Sequence, residues 1–335
     1  MSSPRVSILL PVRNAATTLS ACLRSIQRQS ESDWQCIIID DGSQDDSVIR
    51  ARAFAARDTR FHLIETAPCG LVEALNTGLP HCRGPFIARM DADDLMHRHR
   101  LAMQAYVLES HPSLAAVGCH VRLFPRQHLR DGRLAYERWL NRITSERRLR
   151  EEAFVECPIA HPSLMIRRDI LSAFGYRDCG WPEDYDLILR LLTSGHPLDV
   201  VPKRLLSWRD HPTRLSRTSP IYRIAQFTAC KAAFLATSFL STTDRYILWG
   251  YGSTGKALRR ALAQHGKHPA YIVELHPRRL GKTIHQAPVI PPEALVRTPK
   301  HPVIVSVAGE QGRGEIRAAM QAMGFQELRD FICAA

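Results

Sequence analysis

The sequence predicts an α/β protein of two successive units: a larger N-terminal one around a parallel sheet and a small C-terminal one. Three observations carry this reading. Apolar runs of strand length alternate with stretches of helical spacing through residues 6–90, the pattern of parallel strands covered on both faces. The chain has 335 residues, more than one ordinary domain holds. A fresh strand, glycine turn and helix then begin at Tyr246. With 45% hydrophobic and 23% charged residues, the composition is that of a globular chain and not a disordered one.

The elements follow in order. VSILLPV (Val6–Val12) is a buried strand stopped by Arg13-Asn14, and Leu19, Leu23 and Ile26 place a helix over 17–29. WQCIII (34–39) is the next strand, halted at the turn formers Asp40-Asp41-Gly42-Ser43. A helix over 45–57, a strand over 61–65 and a helix over 71–79 lead to PFIARM (85–90), which runs into Asp91-Ala92-Asp93-Asp94. Three strands thus end in polar clusters, and open α/β sheets bind ligands at the carboxyl ends of their strands. Alternation is less regular over 112–211, where 114–124 reads as strand and 183–192 as helix. Pro220 suits the first turn of a helix over 221–239, a packed linker rather than a membrane-surface helix. YILW (246–249), a helix over 256–264, and strands over 271–275, 303–307 and 328–333 make up the second unit. Residues 1–216 are therefore read as one domain, 217–243 as a helical linker and 244–335 as the small α/β domain, with the boundary near 242–244.

No run approaches the 18 apolar residues a membrane span needs, and no secretory leader precedes the first strand. Nine scattered cysteines without a CxxC pair suit reduced thiols in the cytoplasm, not a disulfide framework or a zinc site. The net charge of +12 asks for an anionic partner: nucleic acid, a membrane face or phosphorylated small molecules. No nucleic-acid-binding module is present, so that partner is set aside, while contact with the inner membrane face stays compatible.

The acidic run Asp91-Ala92-Asp93-Asp94 has its own logic. Carboxylates packed so closely repel one another, and Mg²⁺ or Mn²⁺, which favour oxygen ligands and substrate phosphates, relieve that repulsion. The alternative is an acidic helix N-cap before Leu95, though one Asp suffices for a cap.

Taken together, VSILLPVRNA, IIIDDGSQDDS, Leu75-Asn76-Thr77-Gly78, ARMDADDL, HPSLMIRRD and WPEDYDLILRL resemble the family 2 glycosyltransferases of bacteria, in order and approximate spacing over residues 4–216. The resemblance implies the GT-A nucleotide-diphospho-sugar transferase fold, followed here by a small Rossmann-like α/β domain. It also implies an inverting transfer from a nucleotide-sugar donor to a glycan or lipid-linked acceptor. Pro11, Arg13 and Asn14 would then lie beside the nucleotide, and a carboxylate of Asp40 or Asp41 would bond the base, which suits uracil. Asp93 would hold the metal, with Asp91 near the ribose or the metal. Asp184 matches the family's general base, and His211 a histidine that in some relatives completes the metal or diphosphate site.

Several of these residues have plainer readings as well. Asp40 or Asp41 could start a turn, Glu183-Asp184 could be an acidic first helical turn, and His211 could be a solvent-exposed loop residue. Trp181 is either an acceptor-sugar platform or a packing residue, and His161 is placed near the site without a derived role. The QxxRW motif of processive synthases is missing (Leu206-Ser207-Trp208-Arg209 is the nearest segment), which argues for adding one sugar, not polymerising.

Gly250-x-Gly252-x-x-Gly255 follows a strand and opens a helix, with Glu274 at the offset where a dinucleotide fingerprint puts its ribose-binding acid. Two readings stand: an NAD-like dinucleotide site, or a structural, regulatory or nucleotide-sugar-sensing module of the kind found beside sugar-modifying enzymes. A nucleotide-dependent oxidoreductase or sensor centred on this loop is accordingly the alternative to a glycosyltransferase.

Overall fold

The computed structural model describes residues 3–335. The chain forms two compact units. Of the described residues, one comprises 3–149, 158–179 and 194–218; the other comprises 150–157, 180–193 and 219–335. The division is not a single cut, because two short stretches of the first two hundred residues belong with the C-terminal part.

The elements of the first unit begin with β1 (Val6–Val12), α1 (Ala16–Gln27), β2 (Trp34–Asp41), α2 (Ser47–Ala55), β3 (Phe61–Thr66), α3 (Leu71–Gly78) and β4 (Phe86–Arg89). After β5 (Leu95–Met96) come α4 (Arg100–Ser110), β6 (Ala116–Phe124), α5 (Asp131–Leu140) and α6 (Glu146–Glu152), which crosses into the second unit. β7 (Met165–Arg167) and α7 (Arg168–Phe174) follow. After α8 (Glu183–Thr193), which belongs to the second unit, β8 (Leu198–Arg209) and α9 (Leu215–Thr218) complete the first.

The eight strands are ordered β3-β2-β1-β4-β7-β6-β8-β5. β3, β2, β1 and β4 are parallel, as the alternation requires. β6 and β8 also pair in parallel, and the expectation of a parallel sheet fails at two strands only. β7 lies antiparallel between β4 and β6, and β5 lies antiparallel on β8. These two strands have three and two residues, too short to show a period, and β8 is interrupted by register shifts against β6.

Burial explains the continuous apolar runs. Side chains alternate across a strand, so Ile8, Leu10, Cys36 and Ile38 pack with Leu19, Cys22, Leu23 and Ile26 of α1. Leu9 and Ile39 meet α3 on the other face. A Cβ at Gly78 would stand 2.4 Å from Ile39 Cδ1 and 2.6 Å from Leu9 Cδ1, so α3 rests directly on the sheet. Each such fully buried aliphatic side chain contributes roughly 1.5–3 kcal/mol.

The second unit continues with α10 (Ile224–Thr237), β9 (Arg245–Trp249), α11 (Ser253–Ala263), β10 (His268–Val273), β11 (Thr283–Ile284), β12 (Ala287–Ile290), β13 (Val303–Val305), α12 (Glu310–Ala322) and β14 (Phe331–Cys333). Its sheet runs β11-β12-β10-β9-β13-β14, all parallel except the β11–β12 pair. The stretches 150–157 and 180–193 are tied in by named bonds. Arg317 pairs with Glu152 at 2.9 Å and with Glu327 at 2.9 Å, and Lys231 Nζ donates to Val155 O at 2.6 Å and Ala334 O at 3.2 Å. Tyr185 of α8 donates its hydroxyl to Ala153 O at 2.7 Å, and its ring lies 5.7 Å from that of Phe227 in α10. Among the described residues no helix is long and apolar enough to cross a membrane.

Candidate active site

The carboxyl ends of β1, β2 and β4 come side by side, since Val12 pairs with Asp40 and Leu9 with Arg89. Pro11 sits where β1 has outrun β4 and pairs only with β2, so its missing N–H interrupts no ladder on the β4 side. Beyond Val12 the chain turns through Asn14, whose φ of 49° is the left-handed conformation that Asn tolerates. Asn14 donates its N–H to Ser43 Oγ and accepts the N–H of Gln44 on its side-chain oxygen, which stitches the loop after β1 to the loop after β2.

The two aspartates at the end of β2 behave differently. Asp40 is buried and caps the turn, accepting the Ser43 N–H at 2.9 Å, while its Oδ1 is buried with no hydrogen-bond partner. Asp41 accepts the N–H groups of Cys69, at 2.6 Å, and Gly70, and pairs with Arg13 at 3.1 Å. Burial alone would raise its pKa, but those N–H bonds and Arg13 together hold it below the usual carboxylate range. Arg13 itself is half exposed, a cation at the carboxyl ends of β1 and β2.

The acidic run lies between β4 and β5. It is not a helix cap: Leu95–Met96 is a strand, and the next helix starts only at Arg100. Asp91, Asp93 and Asp94 each present an oxygen, all within 4.8 Å of one another. Buried Arg89 pairs with Asp91. Burial works to raise the Asp91 pKa, and the charges of Arg89 and Arg214 reverse this and keep it low. Asp94 is pushed well above the usual range by burial and by the two neighbouring carboxylates. It accepts the Arg209 N–H at 2.7 Å through Oδ1, and its Oδ2 is buried without a hydrogen-bond partner. Hard oxygen donors, mutual repulsion and an orphaned buried oxygen are what a divalent cation would satisfy, so the residues fit one.

Residues from the far end of the sheet complete the cluster. Because Leu95–Met96 pairs with Ser207 and Leu206, the chain leaving β8 arrives beside the acidic run. His211 Nε2 lies 2.8 Å from Asp93 Oδ2, with Nδ1 3.0 Å from Thr213 Oγ1. Arg209 Nε donates to the Asp93 carbonyl at 2.7 Å, and its guanidinium lies over the Phe124 ring at 4.4 Å. His161 is buried, 3.2 Å from the Tyr176 hydroxyl, and the Tyr176 backbone is in turn clasped by Asn76. The contributions of Arg89, Arg209 and Arg214 have no signature in the sequence, because an arginine at a strand end and one in a loop look like any others.

Asp184 and Trp181 belong to the second unit. Asp184 lies in the first turn of α8, where Oδ1 accepts the N–H of Tyr185 at 2.7 Å. Its neighbour Glu183 is buried and accepts the Tyr222 hydroxyl at 2.6 Å. Trp181 donates its indole N–H to Asp186 at 3.1 Å, and Asp186 pairs with Arg190 at 2.6 Å.

In the C-terminal sheet, Gly250 (φ 96°) and Gly255 are required by packing. A Cβ on Gly255 would meet Gly250 O at 2.1 Å, so α11 closes directly onto the loop. Gly252 faces open space. The Glu274 carboxylate is taken up within the protein, accepting the Tyr251 N–H at 2.7 Å and pairing with Arg279 at 2.8 Å.

With this geometry in place, the comparison with known proteins is direct. The profile of Glycosyl transferase family 2 matches residues 7–175, half of the chain. The chain belongs to this family. Amylovoran biosynthesis glycosyltransferase AmsE of Erwinia amylovora is 27% identical over 252 residues, 72% of this chain and 91% of AmsE. O-antigen biosynthesis glycosyltransferase WbnJ of Escherichia coli is 29% identical, over 65% of this chain and 84% of WbnJ. Among solved structures, TarS of S. aureus in complex with UDP-GlcNAc aligns with a TM-score of 0.57 at 14% identity, covering 78% of this chain and 72% of that one. The mannosyltransferase PcManGT of Pyrobaculum calidifontis, in complex with GDP-Man and Mn²⁺, aligns at 0.51 and 20% identity, over 79% and 70%. The fold is that of these GT-A enzymes, and the protein is a family 2 glycosyltransferase.

Proposed function

We propose that this glycosyltransferase transfers a single sugar, with inversion, from a uridine diphosphate sugar to a glycan or lipid-linked acceptor in cell-surface polysaccharide synthesis. The observation that carries the reading is the cluster of Asp91, Asp93 and Asp94 with Arg209 and His211, set at the strand ends next to the Arg13–Asp41 pair. Relatives add support. AmsE and WbnJ are named for amylovoran and O-antigen synthesis. WfgD of Escherichia coli, 35% identical over 100 residues that cover 30% of this chain and 39% of WfgD, takes UDP-Glc to a GlcNAc-diphosphoundecaprenol. The family match supports transfer over the alternative of an oxidoreductase or sensor.

In this reading Asp91 and Asp93, with His211 at hand, would hold a divalent cation. Bound there, it would act as a Lewis acid on the leaving diphosphate. The rest is done by the chain. A carboxylate of the Asp40-Asp41 pair, fixed by the turns after β2, bonds the base, and Arg13 adds a cation beside it. Asp184 takes the proton of the acceptor hydroxyl while that oxygen attacks the anomeric carbon and the bond to the β-phosphate oxygen breaks. One displacement inverts the centre. Arg214, whose charge reaches Asp91 and Asp94, offsets the negative charge that grows on the leaving group.

The test is UDP binding with and without Mn²⁺, read as thermal stabilisation of the intact protein. Wild type should be stabilised only when both are present, and Asp93→Ala should lose that synergy. Unchanged metal dependence in Asp93→Ala would refute the assignment. The anomeric configuration of the product, read by NMR, checks inversion.

A further inference from the structure

Beside the acidic run lies a second cluster, of opposite sign, that the reaction above leaves largely unused. Asp210 is buried, and Arg217 donates to its Oδ2 at 2.6 Å. Arg133, on α5, brings Nε to 3.3 Å from Asp210 Oδ1, but at an angle that makes no hydrogen bond. Both of those buried atoms are therefore left without a hydrogen-bond partner, and so is Nη1 of Arg214. The Arg214 guanidinium lies 4.6 Å from the centre of the Trp208 ring and that of Arg133 5.4 Å from it. Arg133 is also 5.4 Å from the Tyr136 ring. Trp208 is itself buried, with its indole N–H unpartnered.

Two guanidiniums thus meet at one carboxylate, and a third, that of Arg214, acts on Arg133 from the Trp208 ring. Burial, followed by the charge of Arg214, lowers the pKa of Arg133, yet a guanidinium does not give up its proton in a protein. An added anion would relieve the repulsion. Trp208 and Tyr136 lie against the guanidiniums of Arg133 and Arg214, and arginine binds phosphate oxyanions in forks through paired N–H groups. The side chains of Arg133 and Arg217 are 27% and 41% exposed, so a ligand from solvent reaches them.

We propose that Arg133, Arg214 and Arg217 form a binding site for a phosphate or diphosphate group carried by the acceptor. This rests on the transferase reading above. In that reading the donor's diphosphate would be met by a cation that Asp91 and Asp93 would hold, whereas Arg133 and Arg217 pair with Asp210 and not with the acidic run. Arg214 is shared, its charge reaching both Asp91 and Asp94. A glycan joined to its carrier through a diphosphate brings a second anion close to the reacting hydroxyl, and this cluster is the second cationic locus.

The experiment uses the intact protein and two probes. Inorganic pyrophosphate, titrated calorimetrically in EDTA so that no metal contributes, should bind wild type and bind Arg133→Gln/Arg217→Gln roughly ten- to a hundred-fold more weakly. Arg217→Gln alone, at an exposed position, should show a smaller loss and guards against misfolding of the double variant. Kinetics then compare one acceptor sugar presented as a prenyl diphosphate and as a methyl glycoside. The double variant should raise KM for the diphosphate acceptor by a similar factor, with KM for the donor and the rate on the methyl glycoside unchanged. A rise in donor KM with both acceptors would make the cluster part of the donor site and overturn the proposal, as would pyrophosphate binding that survives the substitutions. Wild-type protein that transfers to neither acceptor would refute the function proposed above, while the pyrophosphate titration still reads the arginines directly.

Discussion

Replacing Arg317 with methionine should loosen the second unit selectively. Arg317 pairs with Glu152 and Glu327 at 2.9 Å each and also donates to Glu151 O at 3.2 Å, and both carboxylates are all but inaccessible, at 1% and 3%. Methionine keeps much of the side-chain volume but withdraws the charge from two buried acids, so the loss is electrostatic and not a cavity. Removing one member of a buried ionic group costs about 3–5 kcal/mol, a large share of the ~5–15 kcal/mol that holds a domain together. Hydrogen exchange localises the effect. Amides in 150–157 and 310–322 should exchange faster by roughly a hundred-fold or more, while those of β1 and β2 stay as in wild type. The pH dependence supplies a second check. Burial already raises the Glu327 pKa against the opposing pull of Arg317, and the substitution raises it further. An acid whose folded pKa lies above its unfolded value costs stability as pH climbs through that interval, so the deficit should be full at neutral pH and shrink as the solution is acidified. Wild-type exchange rates in Arg317→Met, or a deficit that grows in acid, would refute this account.

Other outcomes are as definite. Asp184→Asn should preserve UDP binding and lower kcat about a hundred- to ten-thousand-fold, whereas Glu183→Gln, with its carboxylate committed to Tyr222, should cost stability more than rate; a fully active Asp184→Asn enzyme would move the base elsewhere. Gly255→Val, which drives a Cβ to 2.1 Å from Gly250 O, should destabilise by about 3 kcal/mol or more. Gly252→Ala, with nothing within 4 Å, should be near neutral, and equal denaturation midpoints for the two would contradict the packing described. Asp41→Asn should flatten the acid limb of stability, because a carboxylate held below its ordinary pKa contributes above the unfolded value and loses that contribution as pH falls through the folded one. Identical acid titrations of variant and wild type would count against the Arg13 and Gly70 bonds.

What the residues disclosed in advance depended on how local the signal was. The β1 to β4 stretch was legible because apolar strands buried on both faces need no partner to be recognised, and because Arg13-Asn14, Asp40-Asp41 and Asp91–Asp94 break them so abruptly. β7 and β5 were not, since strands of three and two residues carry no period and exist only through the neighbours they join. Among site residues, Asp93 and His211 were read 118 positions apart and stand 2.8 Å from each other. That meeting is a property of the β5–β8 pairing and not of either segment. The acidic run illustrates the limit from the other side. Three adjacent carboxylates read as one group, yet Arg89 and Arg214 hold Asp91 charged while burial and its neighbours favour the neutral form of Asp94.

The two residues of β5 have a consequence for how such an enzyme can diversify. Leu95 and Met96 close the sheet on Ser207 and Leu206, so the chain returns to the acidic run after an excursion of about a hundred residues. Both ends of that excursion are fastened by backbone pairing, which is indifferent to what is carried in between. Helices, loops and aromatic or basic patches inside it can be exchanged, lengthened or recharged while the oxygens of Asp91 and Asp93 and the imidazole of His211 keep their spacing. An ancestral sequence could therefore vary that interval without rebuilding the cluster of Asp91, Asp93 and His211.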